Sequence, residues 1–355
     1  MKPVTTPTRP AAAPVRDHEE LVVQTGKRSG ATMAIAIHSS ALGPALGGVR
    51  LWRYPRDEDG VTDALRLARG MTFKAAAAGL DLGGGKGVIC APSAEQPAKN
   101  EREALLLDFG DLVDSLDGRY ITAEDVGMTP EDMVVIASRT PHVTGMPVSH
   151  GGTGDPSRFT AAGVQAAMRA ASLFALGSAS LAGRRVVVSG LGHVGEKLAR
   201  GLADAGAELV VSDLDPGRRP VAEALEASWV EPGEALETEC DILAPCAVGG
   251  AINRQNSMRI RPRIVCGAAN NQLADEGLAD TLDERGILYA PDFIANAGGL
   301  INVYRELRSF SEERAMELAL AIETTMARIL ARAERECMTP LDAARDLARE
   351  RLGTL

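Results

Sequence analysis

The stretch Arg184–Gly195, RRVVVSGLGHVG, constrains the fold more than any other. An apolar run of strand length ends in Gly-x-Gly-x-x-Gly and passes directly into a helical pattern over Val194–Ala205. A strand, a tight glycine turn and a helix, followed by a second apolar strand at Glu208–Asp213, form a unit that closes only as a parallel crossover. In such a unit Gly190 permits the turn, Gly192 lets backbone approach a pyrophosphate, and Gly195 lets the helix pack on the strand. His193 and Val194 complete the loop, and the helix N-terminus offers unpaired N–H groups to an anion. Asp213, at the end of the second strand, is placed to accept from ribose hydroxyls, which favours NAD over NADP. Arg218 and Arg219 lie close enough in sequence to neutralise a 2′-phosphate and oppose that preference. The structural alternative is a glycine turn with no ligand.

The alternation continues through a helix at Pro220–Ala227 and short apolar strands at Asp241–Ala244, Arg263–Cys266 and Ile287–Tyr289, which argues a doubly wound parallel sheet. Upstream the pattern differs. Leu21–Thr25 and Thr32–His38 read as a hairpin, Val61–Ala78 as one or two amphipathic helices, and Gly87–Ala91 as a strand after a glycine-rich loop. Helix and strand alternate again at Glu103–Leu116 and Arg119–Thr122. Turn-forming residues cluster at His150–Ser157, HGGTGDPS, ahead of a helical run at Thr160–Phe174, and mark a hinge. Helical patterns close the chain at Phe293–Leu307, Ser311–Glu336 and Pro340–Leu352, the last with Thr339 as N-cap. The expected organisation is a disordered tail over residues 1–16, a first domain over 17–149 and a Rossmann-type NAD-binding domain over 150–334. The final helix, about 335–355, is expected to return to the first domain.

Composition narrows the partners. Forty-eight acids against 38 bases leave a net charge of −10, which repels nucleic acid and anionic membranes. No run of roughly 18 apolar residues is present to span a bilayer, and the N-terminus lacks a signal peptide's apolar core. Five scattered cysteines (Cys90, Cys240, Cys246, Cys266, Cys337) form neither a disulfide framework nor a metal-ligand spacing. A reducing cytoplasm and no metal are expected.

The segment Met71–Gly87, MTFKAAAAGLDLGGGKG, sets two lysines in alanine and glycine surroundings. Lys74 leaves an alanine-rich helix, where an ammonium is costly unless it meets an anion such as a substrate carboxylate. Lys86 follows three glycines that allow close approach to a ligand. Two ammonium groups in one water-poor crevice would each have a lowered pKa, as a base working near neutrality requires. The alternative is that both lysines reach solvent over a simple turn.

MTFKAAAAGLDLGGGKGVI resembles the signature of the glutamate/leucine/phenylalanine/valine dehydrogenase family, and most nearly its leucine and valine members. GPALGGVR (Gly43–Arg50), GRYITAEDVG (Gly118–Gly127), GGTGDPS (Gly151–Ser157), GLGHVG, APCAVGG (Ala244–Gly250), GAANNQLA (Gly267–Ala274) and ILYAPDFIANAGGLINV (Ile287–Val303) agree with the family in the same order. The resemblance implies an α/β fold of two domains: an N-terminal substrate domain with a mixed sheet, a C-terminal doubly wound parallel sheet, and a cleft between them. It implies a homo-oligomer, and amino acid, 2-oxo acid and ammonia as ligands. By the same analogy Lys74 binds the substrate carboxylate, Lys86 is the general base that activates water, and Asp125 moves protons at the substrate nitrogen. Asn270 or Asn271 completes the polar ring, Asn270 towards substrate and Asn271 towards cofactor. Thr160, Cys246 and Ala247 lie near the cofactor, and Gly47 and Gly48 near the substrate.

Side-chain specificity follows from the same comparison. The glutamate enzymes carry lysine before the glycine pair and serine after NAGG, whereas this chain has Leu46 and Val303. A second carboxylate would find no cation there. Leu46, Met71, Ala123, Leu300 and Val303 suit leucine, isoleucine or valine. One methylene discriminates only modestly, so the order among them stays open. Leu300 resembles some phenylalanine dehydrogenases and Ala123 the leucine type, so an aromatic substrate remains the first alternative. Val49, Met128 and Arg158 depart from the family blocks. A catalytically silent NAD-binding protein and a 2-hydroxy acid dehydrogenase are the alternatives of other kinds.

Overall fold

A computed structural model describes residues 17–91 and 97–353. The tail expected over residues 1–16 lies outside the described residues. The chain divides into two compact units, the first running to Thr72 and resuming over Leu82–Met146, the second taking Phe73–Asp81 and everything from Pro147 onward.

The first unit contains β1 (Glu20–Thr25), β2 (Thr32–Ser39), β3 (Ala45–Trp52), α1 (Asp57–Ala77, whose last turn groups with the second unit), β4 (Gly83–Cys90), α2 (Lys99–Asp114), β5 (Tyr120–Glu124) and α3 (Pro130–Ala137). Its sheet has the order β1-β2-β4-β3-β5. β1, β2 and β4 pair antiparallel, and β3 pairs parallel with both β4 and β5, so the sheet is mixed. Phe109, Leu112 and Tyr120 fill the core on one side with Met33, Ile35 and Ile89. Ala64, Leu65 and Ala68 of α1 cover the other against Ala34, Ala36 and Val88. Alternate residues of β2 and β4 thus face opposite layers, as a strand's period of two requires.

The glycine run before Lys86 departs from the expected loop, because Gly83, Gly84 and Gly85 lie inside β4. A side chain there has no room: a Cβ on Gly84 would sit 2.1 Å from the Thr72 nitrogen, and one on Gly47 1.7 Å from the Gly85 oxygen. The glycines serve close packing of strand on helix and of β3 on β4.

The second unit begins with α4 (Ser157–Leu176) and continues as β6 (Arg185–Ser189), α5 (His193–Asp204), β7 (Glu208–Ser212), α6 (Arg219–Ala224), β8 (Ser228–Trp229), α7 (Pro232–Ala235), β9 (Ile242–Pro245) and β10 (Ile264–Val265). It ends with α8 (Leu278–Glu284), β11 (Leu288–Tyr289), α9 (Asp292–Ala295), α10 (Gly298–Arg308), α11 (Glu312–Leu320), α12 (Ile322–Glu336) and α13 (Pro340–Leu352). All six strands are parallel in the order β11-β10-β9-β6-β7-β8, the doubly wound arrangement whose switch point lies between β6 and β9. Ser311 caps α11 by accepting from the Arg314 N–H, and Thr339 caps α13 by accepting from the Asp342 N–H, as expected for the latter.

Two expected helices are each divided. Phe293–Leu307 splits into α9 and α10, because Gly298 brings the chain against α4, where a Cβ would lie 2.0 Å from the Phe159 oxygen. Ser311–Glu336 splits into α11 and α12 at Ala321. β3, α3, β8, α7 and α8 have no counterpart in the sequence reading. Arg351 of α13 donates to the carbonyls of Ala76 and Leu80 and pairs with Asp81, so the last helix packs on the segment that follows Lys74. Among the described residues, α4 is long and apolar enough to cross a membrane, but most of it is buried within its own unit.

Candidate active site

β4 carries Lys86 into the interior of the first unit, where it is 5% exposed. Its Nζ donates to Oδ2 of Asp125, just beyond β5, at 2.6 Å. Two glycines of β3 make the meeting possible: a Cβ on Gly48 would fall 2.8 Å from the Asp125 Cβ, and one on Gly47 3.2 Å from the Lys86 nitrogen. Gly47 and Gly48 therefore shape the floor of this site. Leu46 and Ala123 are buried beside them, Gly48 pairing with Ala123 in the sheet. Met71 is half-buried on α1.

Burial pushes the Lys86 ammonium down, and by more than Asp125 pulls it up. For Asp125, burial raises the carboxyl, but Lys86 and Arg50 outweigh it and hold the group below the usual carboxylate range. The pair thus combines a lysine that gives up its proton more readily than an ordinary one with a carboxylate that holds its charge more firmly than an ordinary one. Arg50, on β3, donates from Nε to the same Oδ2 at 3.0 Å. Sequence reasoning missed it. Its signal was the strand period: Arg50 lies two residues beyond Gly48, on the same face.

In the second unit, the loop after β6 lies against the loop after β9. A Cβ on Gly190, whose φ is +107°, would meet the Ala247 nitrogen at 2.8 Å. One on Gly195 would meet the Gly190 oxygen at 1.9 Å and the Cys246 Cβ at 3.2 Å. Gly192 faces open space and caps α5 with no side-chain bond, leaving the helix N–H groups to an anion. His193 is exposed and Val194 half-buried. Asp213 accepts from the Leu191 N–H at 2.6 Å and the Asp215 N–H at 2.9 Å, which fixes its carboxylate beside the glycine loop. A cradle cleared of side chains, an uncapped helix and an oriented acid fit a dinucleotide.

Lys74, in the last turn of α1, reaches Oδ1 of Asn270 at 3.4 Å. Asn296 donates to that same oxygen at 2.8 Å and to the Ala268 carbonyl at 3.2 Å. Four residues earlier, Asp292 accepts from the Gln272 N–H at 2.8 Å. Burial raises the Asp292 carboxyl, against the Gln272 bond and the charge of Lys74. The 267–272 loop is thus anchored by Asp292 and Asn296, one helical turn apart, neither of which was singled out from sequence. Asn271 has a left-handed φ of +51°, and its carbonyl accepts from the Gly250 N–H at 2.7 Å. Thr160 is buried, with its Oγ1 where a Cβ on Gly299 would come within 2.9 Å. Leu300 is buried and Val303 half-buried on α10.

A sequence model described as the Glu/Leu/Phe/Val dehydrogenase dimerisation domain matches residues 16–142, and one described as Glutamate/Leucine/Phenylalanine/Valine dehydrogenase matches residues 215–352. A leucine dehydrogenase of Geobacillus stearothermophilus is 45% identical over 96% of this chain and 92% of its own length. The chain belongs to the Glu/Leu/Phe/Val dehydrogenase family. Within that family it is also similar to a valine dehydrogenase of Streptomyces virginiae, 44% identical over 94% of each chain. The crystal structure of L-tryptophan dehydrogenase from Nostoc punctiforme superposes with a TM-score of 0.83 at 40% identity, covering 96% of this chain and 97% of that one. Family membership accounts for the mixed sheet and the parallel sheet together.

Proposed function

We propose that the chain catalyses the reversible, NAD-dependent oxidative deamination of an apolar L-amino acid of the leucine or valine type, giving the 2-oxo acid and ammonia. The observation that carries this reading is the 2.6 Å pair of buried Lys86 and half-buried Asp125 on a floor cleared by Gly47 and Gly48. Lys74 holds the substrate carboxylate, with Asn270 beside it. NAD, when bound, accepts the hydride from Cα of the substrate. Lys86, whose proton burial makes easier to lose than an ordinary lysine's, acts in its deprotonated form and takes a proton from water as it attacks the iminium carbon. Asp125 carries protons to and from the substrate nitrogen, so that ammonia can leave. Gly190, Gly192 and Gly195 would hold the cofactor's phosphates, with Cys246, Ala247 and Asn271 near the cofactor and Thr160 near its nicotinamide.

Three side chains support NAD over NADP. Asp213 would place a negative charge against a 2′-phosphate. Arg218 is paired with Glu196 at 3.3 Å, and Arg219 with Glu231 at 2.7 Å while also covering the Trp229 ring. Both arginines are thereby engaged elsewhere. Apolar Leu46 and Ala123 in the first unit, and Leu300 and Val303 in the second, favour an apolar substrate side chain over a second carboxylate. A homo-oligomer is supported by the dimerisation domain named for the matched N-terminal region and by β1, an edge strand of its sheet. A cytoplasmic location accords with the five free cysteines.

The test is NADH formation across the twenty L-amino acids, run with NAD and with NADP. Turnover of leucine, isoleucine or valine with release of ammonia is expected. Preference for phenylalanine or tryptophan would move the substrate to the aromatic class, and lactate-type oxidation without ammonia would overturn the reading.

A further inference from the structure

The charged chain does not stop at Asp125. Lys86 and Arg50 both donate to Oδ2 of Asp125, at 2.6 Å and 3.0 Å, while Oδ1 makes no hydrogen bond among the described residues. Arg50 is held from its other side: Nη1 donates to Oδ2 of Asp63 on α1 at 2.8 Å. Asp63 in turn accepts from the Tyr54 hydroxyl at 2.8 Å and from Arg66 at 2.8 Å. Side-chain exposures of 6% for Lys86, 22% for Arg50, 15% for Asp63 and 25% for Asp125 keep the chain poorly screened.

We propose that Arg50 is a positioning residue that sets the pH at which Lys86 works as a base: it shares the lysine's carboxylate oxygen and is itself clamped by Asp63. The inference rests on the deaminating role given above to Lys86 and Asp125. Two cations on one oxygen divide its charge, so each holds its proton or its place less firmly than it would alone. Turning both cations to Oδ2 also leaves Oδ1 for the substrate ammonium. The groups facing Lys86 are Asp125 from the segment after β5, Arg50 from β3 and Asp63 from α1, while β2 sets Ala36 opposite it in the sheet. Arg50 opposes the lysine's charge, whereas Asp125 and Asp63 favour it.

Opposite signs follow for two substitutions. In Arg50→Gln the acid limb of kcat/KM for leucine deamination should move to higher pH, with a loss of about tenfold at neutral pH that shrinks in alkali. In Asp63→Asn the limb should move to lower pH, because a negative charge that favoured the lysine's proton is gone. Arg50→Lys keeps the charge and should return the limb towards its native position. The substrate's own titration is common to all variants and cancels in the comparison. Melting curves and NAD affinity, taken in parallel, report folding. If Arg50→Gln does not fold, Asp63→Asn and Arg50→Lys decide. Limbs that stay fixed, or that move the same way in Arg50→Gln and Asp63→Asn, overturn the proposal while leaving the deaminating role intact. A native chain that forms no NADH from any amino acid overturns both.

Discussion

Replacing Asp125 by Asn leaves Lys86 and Arg50 facing one another across a neutral amide. Breaking a buried ion pair by removing one partner costs roughly 3–5 kcal/mol. Asp125 is a quarter exposed, so the lower end, about 3 kcal/mol at neutral pH, is expected. The pH dependence gives the sharper test. The native Asp125 carboxyl lies below its ordinary range, so its contribution is present above the ordinary carboxylate pKa and fades as pH falls through the lowered one. Lys86 acts in the same sense, in a higher pH range. Its folded pKa lies below the ordinary 10.5, so the unfolded chain binds more protons and stability rises with pH up to that value. Without Asp125 the lysine is driven lower still, which widens the window. The deficit of Asp125→Asn should therefore be large at pH 7 and shrink towards about pH 10, near the ordinary lysine pKa. Urea denaturation of both proteins at the two pH values measures it. A deficit that is the same at both, or greater in alkali, would refute the reasoning.

Lys86→Ala should lower deamination by roughly 10²–10⁴-fold while NAD affinity, read by fluorescence quenching, is retained. Lys74→Ala should raise KM for the amino acid by about tenfold or more, through loss of a charge-assisted bond to the carboxylate; an unchanged KM would assign that grip to another group. Gly195→Ala would set a Cβ 1.9 Å from the Gly190 oxygen, so the loop or α5 must shift and NAD should bind at least about tenfold more weakly. Equilibrium titration with NADH checks this, and native affinity would show the close packing to be dispensable.

The parallel sheet was legible because the strand, glycine turn and helix at Arg185–Asp204 each carry a local signal that agrees with the others. β4 was only half legible. Gly83, Gly84 and Gly85 have the composition of a turn, and only the crowding from Thr72, Tyr120 and β3 explains why they lie in a strand. β3 was hidden for the same reason, since Gly47 and Gly48 interrupt its apolar alternation. The two lysines stood out as cations in apolar surroundings, whereas Asp125 in isolation reads as an ordinary strand-end acid and entered through the family resemblance. Arg50 and Asn296 were missed because their importance lies in what they touch: a carboxylate brought from beyond β5, and a loop brought from beyond β10.

The glycines around Lys86 have a thermodynamic consequence of their own. Gly47, Gly48, Gly83, Gly84, Gly85 and Gly87 lose more backbone freedom on folding than any other residue type would, roughly 0.5–1 kcal/mol each relative to alanine. The usual remedy, exchange for alanine, is closed, because a methyl group at Gly84, Gly85 or Gly87 would collide with Thr72, Tyr120 or Phe109 at 2.6 Å or less. This glycine-rich part of the sheet is thus costly to order and closed to that remedy, so a gain in heat resistance is to be sought elsewhere, as in the helices that enclose it.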